Sequence, residues 1–425
     1  MPKPTPDCRA TERKHPWPMV RLGDVCGTIN GIWKGLRKPF VHVGIIRSSN
    51  MTKNCEFSLD KTIYIDVEEK KYKQRKLLAG DIIVERSGGG PGQPVGRAVY
   101  FDLEDGEYSV SNFTSILRVK DANALNGKFL QLYLTSQYFQ GATENIQSNT
   151  TGLHNLDFDA YLNFDVPLPP LSEQKEIVAR LERELAAVEK MKKGFEALAE
   201  TAKAEFEAEL KEVFAELKSG GAGIGTDGTN GTHGTVETRR LGEIGRVVTG
   251  TTPSKGNKSY YGGEWPFYKP ADLNQGRNTI GSGDSLTDAG WQSARQLPAN
   301  SVLVTCIGAT LGKTGIIRRE GSCNQQINAI VCDGKALPEY VYYSILSPQF
   351  QNMLWQASNS TTLPMVNKST FEKFEIPFPA LAVQREVVAR LDAAKARAEK
   401  LEAKAREGVA VCETMRKAIL KEAFE

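Results

Sequence analysis

Apolar positions along this chain follow two patterns, and the pair of patterns occurs twice. Short runs such as Ile82-Ile83-Val84, Ala98-Val99-Tyr100-Phe101, Val302-Leu303-Val304 and Gly315-Ile316-Ile317 are separated by Gly, Asn, Asp and Pro, which predicts strands divided by turns. Helical periodicity closes each of these regions, at 127–141 and 337–356. A longer pattern follows. From Val178, apolar residues recur at Leu181, Leu185, Val188, Met191, Phe195, Leu198, Ala202, Phe206, Leu210, Val213 and Leu217. From Val388 they recur at Leu391, Ala394, Ala398, Leu401, Ala405, Gly408, Cys412, Met415 and Ile419. Steps alternating between three and four draw one stripe along a helix, as in a coiled-coil seam. The seam residues this predicts include Leu181, Leu185, Val188, Phe195, Leu198, Leu391, Leu401 and Met415. Prolines ahead of each helix set its start, and Glu173, Glu176 and Glu386 suit the dipole of the first turns. A helix of ~45 residues is ~65–70 Å long. A stripe of that length needs a partner, and the simplest is its own counterpart, parallel or antiparallel.

The two regions are copies at an offset of 210 residues. Val166-Pro167-Leu168-Pro169-Pro170-Leu171 matches Ile376-Pro377-Phe378-Pro379-Ala380-Leu381, and the eight residues from Gln174 to Leu181 match those from Gln384 to Leu391. Upstream, Tyr133 pairs with Tyr343, Thr151 with Thr361, Leu153 with Leu363 and Phe164 with Phe374. The likeness is strongest at the proline hinge and weakest in the first hundred residues of each copy, as expected for one architecture carrying two different surfaces. The expected organisation is a globular domain at 1–166, a long helix at 167–217, a Gly/Thr-rich tether at 218–236, a second globular domain at 237–376 and a second long helix at 377–425. The fold class this predicts is α/β (α+β): two similar globular domains with mixed β-sheet and two long helices packed as a coiled-coil-like pair.

Composition narrows the chemistry. No apolar run approaches the ~20 residues of a membrane span, and the proline-rich start lacks the apolar stretch of a signal peptide; a cytoplasmic protein is expected. The seven cysteines include no Cys-x-x-Cys pair and there are four histidines, so reduced thiols are expected rather than zinc or disulfides. Gly308-Ala309-Thr310-Leu311-Gly312-Lys313-Thr314 resembles a phosphate loop but has three residues between its glycines where four are needed, so a tight turn is the better reading. Asp81 and Glu85 hint at a metal-dependent nuclease, but the usual Lys is missing and the second copy has Ser301 and Thr305 in their place. No methyltransferase motif and no Ser/His/Asp set is present, so no catalytic residue and no metal site are expected. Net charge is only +3, but residues 1–100 hold 18 Lys and Arg against 10 Asp and Glu, a local excess of the kind phosphate contacts require.

In the second copy, Thr249-Gly250-Thr251-Thr252-Pro253-Ser254 precedes Tyr260-Tyr261-Gly262-Gly263, Trp265-Pro266-Phe267 and Ala271-Asp272-Leu273. Pro298, Ser301 and Leu303, the Gly308–Gly312 turn, Asn324-Gln325-Gln326, Asn367 and the Ile376–Pro379 hinge complete the set. This ordered set, with the repeated hinge and helices, resembles the specificity subunit of type I restriction-modification systems over nearly the whole chain. The first copy departs from it, with Trp33 and Gly35 where a Tyr-Tyr-Gly segment is expected. The resemblance implies that each globular domain is a target-recognition domain reading one half of a split double-stranded DNA target. It implies that the helices fix the spacing and dock two modification subunits, adenine-N6 methyltransferases, with restriction subunits (translocase and nuclease) as optional further partners. It also implies that this chain binds no cofactor, while S-adenosylmethionine, ATP and Mg2+ belong to the partners.

DNA reading needs cations for phosphates and polar side chains for base edges. The first domain offers Lys34, Arg37, Lys38, Arg47, Arg86, Ser87, Arg97, Asn149 and Thr150, with a glycine run at Gly88–Gly90 suited to close approach. The second offers Lys255, Lys258, Lys269, Asn274, Arg277, Arg295, Lys313, Asn324, Gln325, Asn359 and Thr361. For each residue alone, a solvated surface role is as good a reading. The aromatics Tyr260, Tyr261, Trp265 and Tyr268 read as core rather than stacking platforms. The competing reading for the whole chain is a structural adapter whose domains bind no DNA.

Overall fold

A computed structural model describes residues 17–90, 92–150, 152–219, 236–332, 334–358 and 363–425. Both copies build the same three sheets. The first has an antiparallel sheet in the order Cys26–Asn30, Thr114–Val119, Ile82–Glu85, Ala98–Tyr100. The second has Gly245–Thr249, Ile327–Cys332, Val302–Thr305, Thr314–Ile316 in the same order. Each copy adds a mixed three-stranded sheet: Ile63–Glu68, Phe40–Ile46 and Tyr108–Val110 in one, Asp284–Leu286, Tyr261–Tyr268 and Ser322–Cys323 in the other. A short antiparallel ribbon, Met19–Arg21 with Asp165–Pro167 and Thr238–Arg240 with Glu375–Pro377, ties the start of each domain to its hinge.

The third strand of each four-stranded sheet explains its unbroken apolar run. Ile82 and Val84 face one core, which also holds Phe129 and Leu130, while Ile83 faces another with Ile46, Val99 and Phe101. Val302 and Val304 likewise face the core with Tyr340 and Tyr343, and Leu303 the core with Tyr268 and Leu297. A strand covered on both faces has no polar side to alternate with. The covering helix is Gly127–Phe139 in the first domain. In the second, the single helical pattern expected at 337–356 is split into Pro338–Leu346 and Pro348–Gln356. Pro348 has no N–H to continue the first helix, and the Ser347 hydroxyl caps the second by accepting from Phe350 N at 3.3 Å.

The long helices are Leu171–Ser219 and Leu381–Glu422. Contacts divide the chain into two compact units. One holds the first globular domain, the first long helix up to Gly194, and Gly408–Glu425; the other runs from Phe195 to Glu407. In the first unit, Leu181 and Leu185 share a core with Leu420, Ala423 and Phe424. The segments there run antiparallel: Leu185 and Leu420 line one cavity, and Lys192 Nζ lies 3.6 Å from Glu413. In the second unit, Leu210, Val213, Phe214 and Leu217 share a core with Val387 and Leu391, and Arg390 reaches Glu209 at 2.6 Å and Glu216 at 2.8 Å.

Of the predicted seam, Leu181, Leu185, Val188 and Leu391 are buried, and Phe195, Leu198 and Leu401 are half-buried. Met415 is a correction: it is 39% exposed. After Cys412 the inward row advances by four to the half-buried Arg416 and again to the buried Leu420, so Met415 turns outward. Arg416 takes the inward place because its guanidinium pairs with Glu56 at 2.9 Å and donates to the Asn54 carbonyl at 3.3 Å.

One duplicated residue fixes both hinges. Gln174 is fully buried; its amide donates to the carbonyls of Pro169 (2.8 Å) and Ala124 (2.9 Å), and its Oε1 accepts from Asn126 N (2.8 Å). Gln384, equally buried, donates to Pro379 O (2.9 Å) and accepts from Leu337 N (2.9 Å). Each glutamine joins the first turn of a long helix to the start of the helix that covers the sheet. A Gln174→Leu variant leaves these backbone groups unpaired, at about 1–3 kcal/mol each. Hydrogen exchange should accelerate around 124–130 and 169–175 and leave 337–346 unchanged; unaltered protection at the hinge would refute this role.

Candidate nucleic-acid interface

The candidate surface grows from one close approach that both domains share. A glycine directly follows the first strand of each four-stranded sheet. A Cβ on Gly31 would lie 1.9 Å from the Ser111 carbonyl oxygen, and one on Gly250 would lie 2.2 Å from that of Asn324. Only glycine lets this loop touch the turn leading into the neighbouring strand. Two loops therefore meet at one edge of each domain, and the side chains beside them gather there.

In the first domain Arg86 lies at this junction. Its guanidinium donates to Asn30 Oδ1 at 3.2 Å and sits 4.5 Å from the centre of the Phe158 ring, while its backbone N bonds Phe113 O at 2.8 Å. Ser87 donates to Asn155 Oδ1 at 2.6 Å. Strand Ser87–Gly88 pairs with Leu153–Leu156, which pairs in turn with Gln147–Thr150. The structure thus brings Arg86, Ser87 and the polar segment carrying Asn149 and Thr150 into one sheet, although the side chains of those last two lie outside the described atoms. Lys34, Arg37 and Lys38 are exposed on the loop that begins at Gly31. The glycine run has a local cause rather than a ligand's: Gly89 has φ 67° in a turn closed by Gly90 and Gln93, and its Cβ would lie 2.5 Å from Gln93 O.

In the second domain the equivalent junction gathers Thr251, Thr252, Arg295 and Gln325. Thr252 donates to Gln325 Oε1, Arg295 N donates to Thr251 Oγ1 at 3.0 Å, and the Arg295 guanidinium donates to Thr249 O at 2.9 Å. Lys255 and Lys258 are exposed on the same loop. Gly308 N bonds Pro364 O at 2.8 Å and Ile307 bridges Met365, the counterpart of the Ser87–Asn155 pairing. Asn359 and Thr361 lie outside the described residues. Lys313 is half-buried in the hairpin joining Val302–Thr305 to Thr314–Ile316. A strand follows that turn, not a helix, so it has no helix N-terminus to offer a phosphate. Tyr268 is fully buried, and Trp265 stacks on Trp291 with centroids 4.4 Å apart, as packing rather than a platform.

Several expected contacts are spent internally. Arg97 is a correction: it is buried, with Glu85 gripped at 2.7 and 2.8 Å and the Met51 carbonyl at 2.7 Å. Arg47 is half-buried, and its guanidinium donates to Lys61 O at 2.7 Å. Arg277 is paired with Asp392 on the second long helix, Lys269 is paired with Asp284, and Asn324 is buried with its amide on Gln326 at 2.8 Å. Asn274 is exposed, in the 3-10 segment Asp272–Asn278 that also carries Arg277. Asn30 and Phe113 carry no signal of their own in the sequence, and Thr251 and Thr252 enter it only as part of the Thr249–Ser254 segment. The glycine shared by Gly31 and Gly250 is the signal that points to them.

The acidic groups are committed too. Asp81 takes Arg118 at 2.7 and 2.8 Å and caps Leu78 N, and Glu85 takes Arg97. A carboxylate held by a guanidinium is not free to hold a metal. Among the described residues, no group of three or more His, Cys, Asp or Glu is placed to bind one. Burial pushes the thiols of Cys26, Cys55, Cys306 and Cys323 up to about 12, so they stay protonated and unreactive at neutral pH. No helix is long and apolar enough to cross a membrane among the described residues.

The two arginines of this edge should separate cleanly. Arg97→Met strands Glu85 as a buried unpaired charge, at about 3–5 kcal/mol. Arg86→Met removes a surface hydrogen bond and the packing on a ring, about 1 kcal/mol. Denaturant unfolding of both variants checks this, and equal destabilisation would contradict the assignment of Arg97 to the scaffold.

The family model described as the type I restriction modification DNA specificity domain matches residues 14–195 and again 233–409. Over 147 residues the chain is 36% identical to the HindI specificity subunit of Haemophilus influenzae, covering 34% of this chain and 32% of that one. Over 155 residues it is 29% identical to the MjaIX specificity subunit of Methanocaldococcus jannaschii, covering 36% of each. The chain thus spans about a third of the length of the curated relatives it matches. Among solved structures, a chain from work on complex assembly and conformational transition of the type I R-M system aligns over 97% of this chain and 99% of its own. Its TM-score is 0.74 at 20% identity. The HsdS subunit of Thermoanaerobacter tengcongensis aligns over 97% and 98% with a TM-score of 0.55 at 19% identity. At these identities the two structures speak for the fold. The family match, which occurs once per copy and covers most of the sequence, says more: this chain belongs to the type I restriction modification DNA specificity family.

Proposed function

We propose that this chain is the DNA sequence-specificity subunit of a type I restriction-modification enzyme. Each globular domain reads one half of a bipartite duplex target through the edge where its two loops meet. The two long helices set the distance between half-sites and carry the docking surface for two modification subunits, adenine-N6 methyltransferases, with restriction subunits as optional further partners. The chain itself performs no chemistry. S-adenosylmethionine, ATP and Mg2+ are held by the partners.

The observation that carries this reading is the duplicated edge. Two domains with the same sheets present the same pair of loops beside Gly31 and Gly250, yet fill them with different side chains: Arg86, Asn30 and Ser87 in one, Arg295, Gln325 and Thr252 in the other. A shared frame with unlike polar contents is what reading two different short sequences requires. A structural adapter would have no need of it.

Binding of the reconstituted complex to duplex carrying its split target should weaken steeply with salt, because phosphate contacts release counterions. Lys255→Ala combined with Lys258→Ala should lower the slope of log affinity against log salt by about one for each phosphate left without its cation. Fluorescence anisotropy across a salt series measures this, and an unchanged slope removes those lysines from the interface. Adding one turn, about 5.4 Å, to each long helix should alter the preferred gap between half-sites. A complex that assembles and keeps the original gap would end the spacing role.

A further inference from the structure

The loop leading out of the first domain's junction carries something its counterpart lacks. Trp33 is 66% exposed and Leu36 is 88% exposed, and Lys34, Arg37 and Lys38 surround them. Large apolar side chains lifted into water cost free energy unless they meet a partner. This exposure is built into a pinned backbone. Ile32, almost fully buried, anchors the loop, with its N on Val110 O at 2.9 Å. Arg75 donates to Gly31 O, Gly35 N donates to Asp66 O at 2.8 Å, and Leu36 N donates to Glu68 Oε1 at 3.2 Å. Glu69 N donates to Pro39 O at 3.0 Å and closes the far end. Gly35 is forced by the same packing, since its Cβ would lie 2.8 Å from Glu68 N. The strand end that feeds this loop, Asn30, is the residue that accepts from Arg86.

From this placement we infer that Trp33 and Leu36 form an apolar wedge that enters the duplex at the half-site read by the first domain and unstacks one base step, while Lys34, Arg37 and Lys38 hold the flanking phosphates. The inference rests on the proposed DNA-reading role and adds a deformation to it. Apolar side chains on a cation-flanked loop can replace stacking between bases, at a few kcal/mol per opened step, recovered through the backbone contacts that the bend allows. The corresponding loop of the second domain, between Gly250 and Tyr260, has Lys255 and Lys258 but no exposed large apolar side chain. The loop-borne wedge therefore belongs to the first domain's half-site, and a flexible pyrimidine–purine step is the place for it.

The test uses the full chain with its modification subunits and the target identified from the adenines that complex methylates. 2-Aminopurine is placed in turn at each step of both half-sites except those flanking the methylated adenines, which the methyltransferases themselves unstack, and its fluorescence is read on binding. The expected result is a rise at a step in one half-site only, abolished in a Trp33→Ala/Leu36→Ala variant that keeps the wild-type melting temperature. A Lys34→Ala/Arg37→Ala/Lys38→Ala variant should lower the salt slope. A rise that survives the Trp33→Ala/Leu36→Ala change does not come from these side chains and overturns the wedge. Binding with no rise anywhere also overturns it while leaving the DNA-reading role intact. Failure of the wild-type complex to bind duplex at all removes both.

Discussion

Each globular domain of this protein is finished by the end of the helix that follows the other one. Leu420, Ala423 and Phe424 close the core of the first domain, where the Phe424 ring packs edge-on against Phe129 and Tyr133 with centroids 5.4 Å away. Leu210, Val213 and Phe214 close the core of the second, where Phe214 lies 6.0 Å from Tyr340. The 210-residue offset makes Leu210 the counterpart of Leu420, Val213 of Ala423 and Phe214 of Phe424. The exchange is thus the same event twice. Each domain core therefore includes side chains from the far end of the other copy's helix. Arg390 among Glu209 and Glu216, and Arg416 on Glu56, add direction to what apolar packing alone leaves loosely specified.

With the scaffold fixed in this way, the edge where the two loops meet is free to differ between the domains. The frame is held by the hinge glutamines, the glycines at the junction, and the Glu85–Arg97 and Asp81–Arg118 pairs of the first domain. The proposed reading of two different sequences needs a constant frame and an exchangeable surface, since polar groups placed on a rigid frame lose little entropy when they bind.

Most of the architecture is legible in the sequence because it rests on period and repetition. The apolar runs at Ile82–Val84 and Val302–Val304 are strands, the proline hinges start the long helices, and the offset reveals two copies of one design. The pattern misleads where a local interaction overrides the period. Met415 continues the arithmetic of the stripe, but Arg416 has a carboxylate to reach and takes the inward place. Pro348 breaks a helix whose hydrophobic pattern runs through it. The surface is harder to read. Residue type marks Arg97 and Arg86 alike as phosphate binders, and only their partners, a buried carboxylate for one and a surface amide and ring for the other, tell them apart. Arg277 and Lys269 mislead for the same reason, since a cation's sequence neighbours do not show which distant acid it will meet.

The dependence of each domain on the opposite helix end can be measured by removing one end alone. A chain ending at Lys417 lacks Leu420, Ala423 and Phe424, a destabilisation in the range of about 3–5 kcal/mol for the Phe alone. Hydrogen exchange on this chain should show helix Gly127–Phe139 opening while Pro338–Leu346 keeps its protection. Equal protection in both helices, or equal opening of both, would contradict the account.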